Sequence, residues 1–196
     1  MTEQEAENTT NDPATAVLER ARTLVDDLAL KEVVRWKQDH PGRLAVGYMP
    51  IYVPRPMLEG IGCLPVAMFG GGDQVDIIKG DSFYQSYICH IPRSTLELAL
   101  NGSLDSLDGV LFPSICDVIR NLSGMWQMLF PDKYASYVDL PQNFDPELGG
   151  KFYMMDMQRI LRDLTARGAW AYDADKLRAA IKSENSRRAA LHELDT

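Results

Sequence analysis

The sequence predicts an α/β fold. N-terminal helices lead into a Rossmann-like, mostly parallel sheet with helices on both faces, and C-terminal helices follow. Three observations predict it. Short apolar runs alternate with longer segments of helical spacing. The connections between them are short and punctuated by Pro, Gly and Asn. The 196 residues, 45% of them apolar, suffice for one α/β core with an extra helical layer.

Residues 1–13 are polar and acidic with almost nothing apolar, and read as a disordered tail. Residues 14–40 form an N-terminal helical segment. Leu18, Ala21, Leu24, Val25 and Leu28 follow a helical stripe that can divide into two helices. Pro41-Gly42 ends it, and an α/β domain spans 41–148. Leu44-Ala45-Val46-Gly47-Tyr48 is its first strand. Pro54 and Pro56 suit the first turn of a helix through Met57 and Leu58, which Gly60 and Gly62 stop. Residues 64–69 are the second strand, closed by Gly70-Gly71-Gly72-Asp73. A helix over 92–100 ends at Asn101-Gly102. Val110-Leu111-Phe112 is the third strand, a helix headed by Cys116 follows, and residues 134–140 are the fourth strand. Over 149–196, two helices at about 152–167 and 175–194 close the chain. No stop signal follows the last, which reads as an exposed linker helix leading to something outside this chain.

The formal net charge of -8 argues against a nucleic-acid partner, which needs a basic stripe. No apolar run approaches the roughly 18 residues of a membrane helix. The first residues do not follow the basic-then-apolar order of a signal peptide, so a cytoplasmic location is expected. Three cysteines in that setting fit reduced thiols or metal ligands better than a disulfide framework.

In a parallel sheet, functional groups collect in loops beyond the carboxyl ends of the strands. Residues 49–53, 70–73 and 113–117 are expected there. Cys116 follows a strand and heads a helix, a position that suits a thiolate nucleophile or ligand. The plain alternative is a small buried side chain. Cys89 sits in the turn-like stretch Ser86-Tyr87-Ile88-Cys89-His90 before Pro92, where a buried thiol is the plain alternative and His90 is a second candidate donor. Cys63, between Gly62 and Leu64, reads as packing. No CxxC pair exists, so a zinc ribbon or thioredoxin-like site is unsupported. Gly70-Gly71-Gly72 is neither a dinucleotide fingerprint nor a Walker loop, and reads as a tight turn. Arg120 and Asn121, one helical turn beyond Cys116, are candidate donors to a sulfur or a carbonyl, or members of a surface salt bridge. Met125, Trp126, Met128 and Leu129 read as core, and the run Met154-Met155-Asp156-Met157 as packing.

Three segments carry a resemblance. The first is Gly47-Tyr48-Met49-Pro50-Ile51-Tyr52-Val53-Pro54 with Glu59-Gly60-Ile61-Gly62-Cys63-Leu64-Pro65-Val66. The second is Ser86-Tyr87-Ile88-Cys89 with Arg93-Ser94-Thr95-Leu96-Glu97-Leu98-Ala99-Leu100-Asn101-Gly102. The third is Pro113-Ser114-Ile115-Cys116-Asp117 with Arg120-Asn121-Leu122-Ser123. Together they resemble the benzoyl-CoA reductase and 2-hydroxyacyl-CoA dehydratase subunits. Within that family the stretch through Leu140-Pro141-Gln142-Asn143-Phe144 looks most like the N-terminal half of the C-type active-site subunits of ATP-dependent benzoyl-CoA reductases.

The resemblance implies an oxidoreductase subunit that reduces the aromatic ring of benzoyl-CoA to a cyclic diene at very low potential under anaerobic conditions. It implies a 4Fe–4S cluster, with Cys89 and Cys116 as ligands. It also implies a related sister subunit, an ATP-hydrolysing electron activator, ferredoxin as donor and an acyl-CoA substrate. Family members are about twice this length, and their third cysteine ligand lies in the second domain, outside this chain. The isolated chain is therefore expected to bind a cluster weakly or not at all. Two other readings stay open: a 2-hydroxyacyl-CoA dehydratase subunit, and a non-catalytic half that docks other subunits.

Overall fold

The structure is a computed structural model describing residues 12–195. The first eleven residues of the expected tail lie outside the described residues. Asp12 already belongs to a helix: its side chain accepts a hydrogen bond from the Ala14 backbone N–H at 3.2 Å and caps α1 (Pro13–Val25). A proline suits that first turn because its missing N–H has no helical partner there. α1 buries no residue, and α2 (Lys31–Asp39) buries only Val33. The expected helical stripe thus divides in two and lies largely on the surface.

Four strands form an all-parallel sheet in the order β2-β1-β3-β4: β1 (Ala45–Tyr48), β2 (Leu64–Ala67), β3 (Gly109–Pro113) and β4 (Tyr134–Val138). The inner strands β1 and β3 are buried along their whole length, because helices cover both faces. On one face α4 (His90–Leu100) and α5 (Asp117–Leu129) set Leu96, Leu98, Leu122 and Trp126 against Ala45, Val110 and Phe112. Trp126 meets the Phe112 ring at 5.5 Å in a tilted arrangement. On the other face α3 (Arg55–Gly60) and α6 (Lys151–Ala166) set Leu58, Ile160 and Leu164 against Val46, Leu111 and Val138. Each of these large side chains contributes about 1.5–3 kcal/mol by leaving water. An exposed ion pair such as Arg178–Asp175 contributes about 0–1 kcal/mol, so the two cores hold the fold.

The strands lie where the sequence places them, with ends that differ by one to two residues. α7 (Ala174–Leu194) is capped by the Asp173 side chain and packs across α3. A Cβ on Gly60 would come within 3.3 Å of the Leu177 Cα, a tight contact that a larger residue would relieve only by pushing the two helices apart by a few tenths of an ångström. Glu184, buried in α7, accepts hydrogen bonds from Arg55 on α3 and from Arg187 and Arg188 on its own helix. Not every expected core residue is buried. Met128 faces solvent, and of the run 154–157 only Met157 is buried, because α5 and α6 each turn a single stripe toward the sheet.

Candidate functional site

The parallel strands bring their carboxyl ends, and the loops that follow, to one edge of the sheet. From β1 the chain moves outward to β2, and from β3 it moves outward the opposite way to β4. The crevice between β1 and β3 is therefore a topological switch point, the place where open α/β sheets bind ligands. The loop after β3 ends at Cys116.

Cys116 is the N-cap of α5, with extended backbone at φ -159 and ψ 168. Its carbonyl accepts from the Arg120 N–H at 3.2 Å. Its side chain makes no capping hydrogen bond and is exposed. Cys89 holds the same position on α4. That helix begins at His90, two residues ahead of the sequence expectation, since a proline is tolerated within the first turn. Cys89 is therefore a cap residue and not part of a preceding turn. It too is exposed and makes no side-chain cap. Both thiols sit where a helix leaves backbone N–H groups unpaired, which suits anionic ligands.

A long loop, residues 68–89, carries Cys89, and α4 holds it in place. The Gly71 N–H donates to the Ser94 hydroxyl at 3.0 Å. The buried Glu97 carboxylate accepts from the N–H groups of Ile78 at 3.0 Å and Gly80 at 2.7 Å. The Arg93 guanidinium donates to Asp81 and to the carbonyls of Ser86 and Ile88. Tyr84 reaches from this loop toward α5, its hydroxyl 3.5 Å from the Val118 carbonyl. Burial pushes the Tyr84 phenol well above its ordinary range, and the charges of Cys89 and Cys116 push it further in the same direction. One phenol is thus within electrostatic reach of both cysteines.

The remaining candidates separate cleanly. Cys63, directly before β2, is buried in the same core cluster as Met57, Leu58 and Ile61, and burial pushes its thiol up to about 12, partly offset by Arg43. It is packing, as expected. Arg120 lies over the Tyr137 ring, 4.8 Å from its centre, which ties it to β4. His90 is exposed at the start of α4. Gly70-Gly71-Gly72 forms the turn after β2, with Gly70 at φ 75 and Gly72 at φ 51. Sequence reasoning missed Tyr84, Arg93, Ser94 and Glu97 as builders of the site. One signal was available: Glu97 interrupts an otherwise apolar run from Leu96 to Leu100.

The donor set suits a soft metal in kind and in number supplies part of a site. Two exposed thiols at neighbouring helix caps match iron–sulfur chemistry. Among the described residues, no group of three or more His, Cys, Asp or Glu side chains converges for a metal. None of the described helices is long and apolar enough to cross a membrane.

A doubly wound domain with cysteine caps beyond β2 and β3 is the class that the fold and this edge define. The family model described as 2-hydroxyglutaryl-CoA dehydratase, D-component, matches residues 50–196, and the chain belongs to that family. It is 46% identical over 172 residues to the C subunit of the benzoyl-CoA reductase of Thauera aromatica, covering 88% of this chain and 45% of that protein. It is 28% identical over 134 residues to the (R)-phenyllactyl-CoA dehydratase beta subunit of Clostridium sporogenes, covering 66% of this chain and 35% of that protein. It is also 28% identical over 153 residues to the beta subunit of the (R)-2-hydroxyglutaryl-CoA dehydratase of Acidaminococcus fermentans, covering 78% and 40% respectively. The chain spans less than half the length of these relatives.

Proposed function

We propose that the chain is part of the iron–sulfur active-site subunit of an ATP-dependent benzoyl-CoA reductase. Its role is in the low-potential reduction of the aromatic ring of benzoyl-CoA to a cyclohexadiene-carboxyl-CoA. The observation that carries this reading is the 46% identity to a benzoyl-CoA reductase subunit, against 28% for the dehydratase subunits.

In this reading Cys89 and Cys116 are two ligands of a 4Fe–4S cluster, with a third cysteine supplied from outside this chain. When bound, the cluster supplies one-electron chemistry at low potential. The chain's own residues present two thiols at the carboxyl edge of the sheet and offer helix N–H groups to anionic sulfur. Tyr84, a phenol that is protonated at neutral pH and that burial holds so well into the alkaline range, places its O–H within electrostatic reach of both sulfurs. Ile51, Tyr52, Tyr87 and Ile115 are exposed on the loops of the same edge and give an acyl-CoA or a second subunit an apolar surface. The partners in this reading are a related sister subunit, an ATP-hydrolysing activator and ferredoxin.

The test is iron and acid-labile sulfide content, with EPR, on anaerobically purified chain, alone and co-expressed with a sister subunit and the second domain that supplies the third cysteine. Iron that appears in the co-expressed preparation and is lost in Cys116→Ala and Cys89→Ala supports the reading. Iron in neither preparation, or iron that survives both substitutions, overturns it. The family description and the dehydratase relatives favour a second reading, radical dehydration of a 2-hydroxyacyl-CoA. Turnover of a 2-hydroxyacyl-CoA but not of benzoyl-CoA by the assembled complex selects it.

A further inference from the structure

We propose that Arg93 is a positioning residue for Cys89, fixing where its sulfur stands relative to that of Cys116. The proposal deepens the reading above, because it rests on the two cysteines acting as a pair. It starts from what holds Cys89. The side chain is exposed and makes no capping hydrogen bond, so its place is set by the backbone on either side, residues 86–88 before it and α4 after it. The carbonyls of Ser86 and Ile88 in that stretch both accept from Arg93 Nη1, at 3.2 and 3.3 Å. Ile88 is the residue directly before Cys89.

The other side of the guanidinium is anchored. Nε and Nη2 both reach Asp81 Oδ1, at 2.8 and 2.6 Å. The Arg93 side chain is 15% exposed and Asp81 39%, so the fork lies at the surface but is well covered on the arginine side, and its charge-assisted bonds are stronger than neutral ones. Its own Cα is fixed on α4, the helix that Cys89 caps. One side chain thus ties residues 81, 86 and 88 to the helix, and the loop folds back over its own first turn. Its planar fork serves several acceptors at once, and a lysine ammonium reproduces the charge but not the fork. The carbonyl of Arg93 also faces Gly80, where a Cβ would come within 2.6 Å, so the loop lies tight on the helix at this point.

The test uses a probe that needs two thiols in register. Phenylarsine oxide condenses with a pair of thiols, forming two As–S bonds and releasing one water, with no change of redox state. Iodoacetamide needs only one thiol and reports each cysteine separately. Cys63 is buried and serves as an internal unfolding indicator. Arg93→Gln is expected to weaken arsenical bridging of Cys89 and Cys116 by roughly tenfold or more, the usual cost of losing a group that orients a ligand. Arg93→Lys should fall between it and the parent. Alkylation of Cys116 should stay unchanged and Cys63 unreactive. Undiminished bridging in Arg93→Gln, or a loss that appears only together with Cys63 reactivity, overturns the proposal. If the parent chain itself is not bridged, the paired reading of the cysteines fails. Amide exchange then decides the clamp separately. Faster exchange confined to residues 82–89 in Arg93→Gln supports it, and unchanged exchange there overturns it.

Discussion

Cys89 and Cys116 stand in the same relation to two different helices: each is the residue directly before the first helical turn, exposed, with no hydrogen bond from its own sulfur. The equivalence follows from the fold. β2 and β3 end at the same edge, and each is followed, after a loop, by a helix on the same face of the sheet. Cap residues lie at that edge by construction. A capping serine or aspartate spends its side chain on the helix, whereas a thiol, a weak acceptor, leaves the sulfur free for a ligand.

This relation predicts thiol counts. In the native chain two thiols, those of Cys89 and Cys116, should react readily with a disulfide reagent, and Cys63 only after unfolding. Quantitative labelling with peptide mapping checks it. Fast labelling of Cys63 at neutral pH, or protection of either cap cysteine in the isolated chain, contradicts the geometry.

Glu97 should prove costly to alter although it touches no candidate ligand. Its buried carboxylate accepts two loop N–H groups, from Ile78 and Gly80. Glu97→Gln keeps the shape but loses the charge and can turn an amide N–H toward those donors. A loss of about 1–3 kcal/mol is expected from urea unfolding. An unchanged midpoint would show that the loop is held by other means.

The layers of the fold were legible in the sequence, and the construction of the site was only half so. Strand and helix identity depends on local apolar spacing, which survives in one chain, and all four strands were readable from it. Cys116 was readable as a helix head because a strand leads almost directly into it. Cys89 was not, since Pro92 drew the helix start past His90. Arg93, Ser94 and Glu97 act on residues 71 to 88 through contacts that only the folded loop creates, and local spacing carries no record of them. Tyr84 was invisible for the same reason: its meaning lies in meeting two elements distant in sequence.

Glu184 should dominate the attachment of α7. It accepts from Arg55 across the helix interface and from Arg187 and Arg188 along its own helix. Arg188 is 72% exposed, so its share is small. Arg55 is largely covered and would lose its carboxylate partner. Glu184→Ala is expected to cost about 1.5–3 kcal/mol, and Arg188→Ala under about 0.5 kcal/mol. The Glu59 carboxyl, held above its ordinary range by burial and then by the charge of Glu184, should titrate lower in Glu184→Ala. Equal losses in the two variants, or an unmoved Glu59, would argue against this network.

Alkaline pH should weaken the fold through the Cys63 thiol, which starts to ionise at lower pH than the buried tyrosines. Burial raises its thiol from 9.0 to about 12, with Arg43 opposing the rise. The unfolded chain therefore releases this proton at lower pH than the folded one. Stability is fully present below about pH 9 and is lost as pH rises toward about 12, at up to about 1.4 kcal/mol per pH unit. Tyr134, also raised to about 12 by burial, and Tyr84 and Tyr153, raised in the same direction by burial, start from 10.0 and begin to add their loss as pH approaches that value. The difference between the parent chain and Cys63→Ala, which keeps every tyrosine, therefore isolates the thiol over the interval from about pH 9 to about pH 10. Cys63→Ala should start lower, because it leaves a small cavity, yet lose less over that interval than the parent chain. Urea midpoints of both proteins across the interval decide it. Parallel curves would mean that the Cys63 environment does not discriminate against the thiolate.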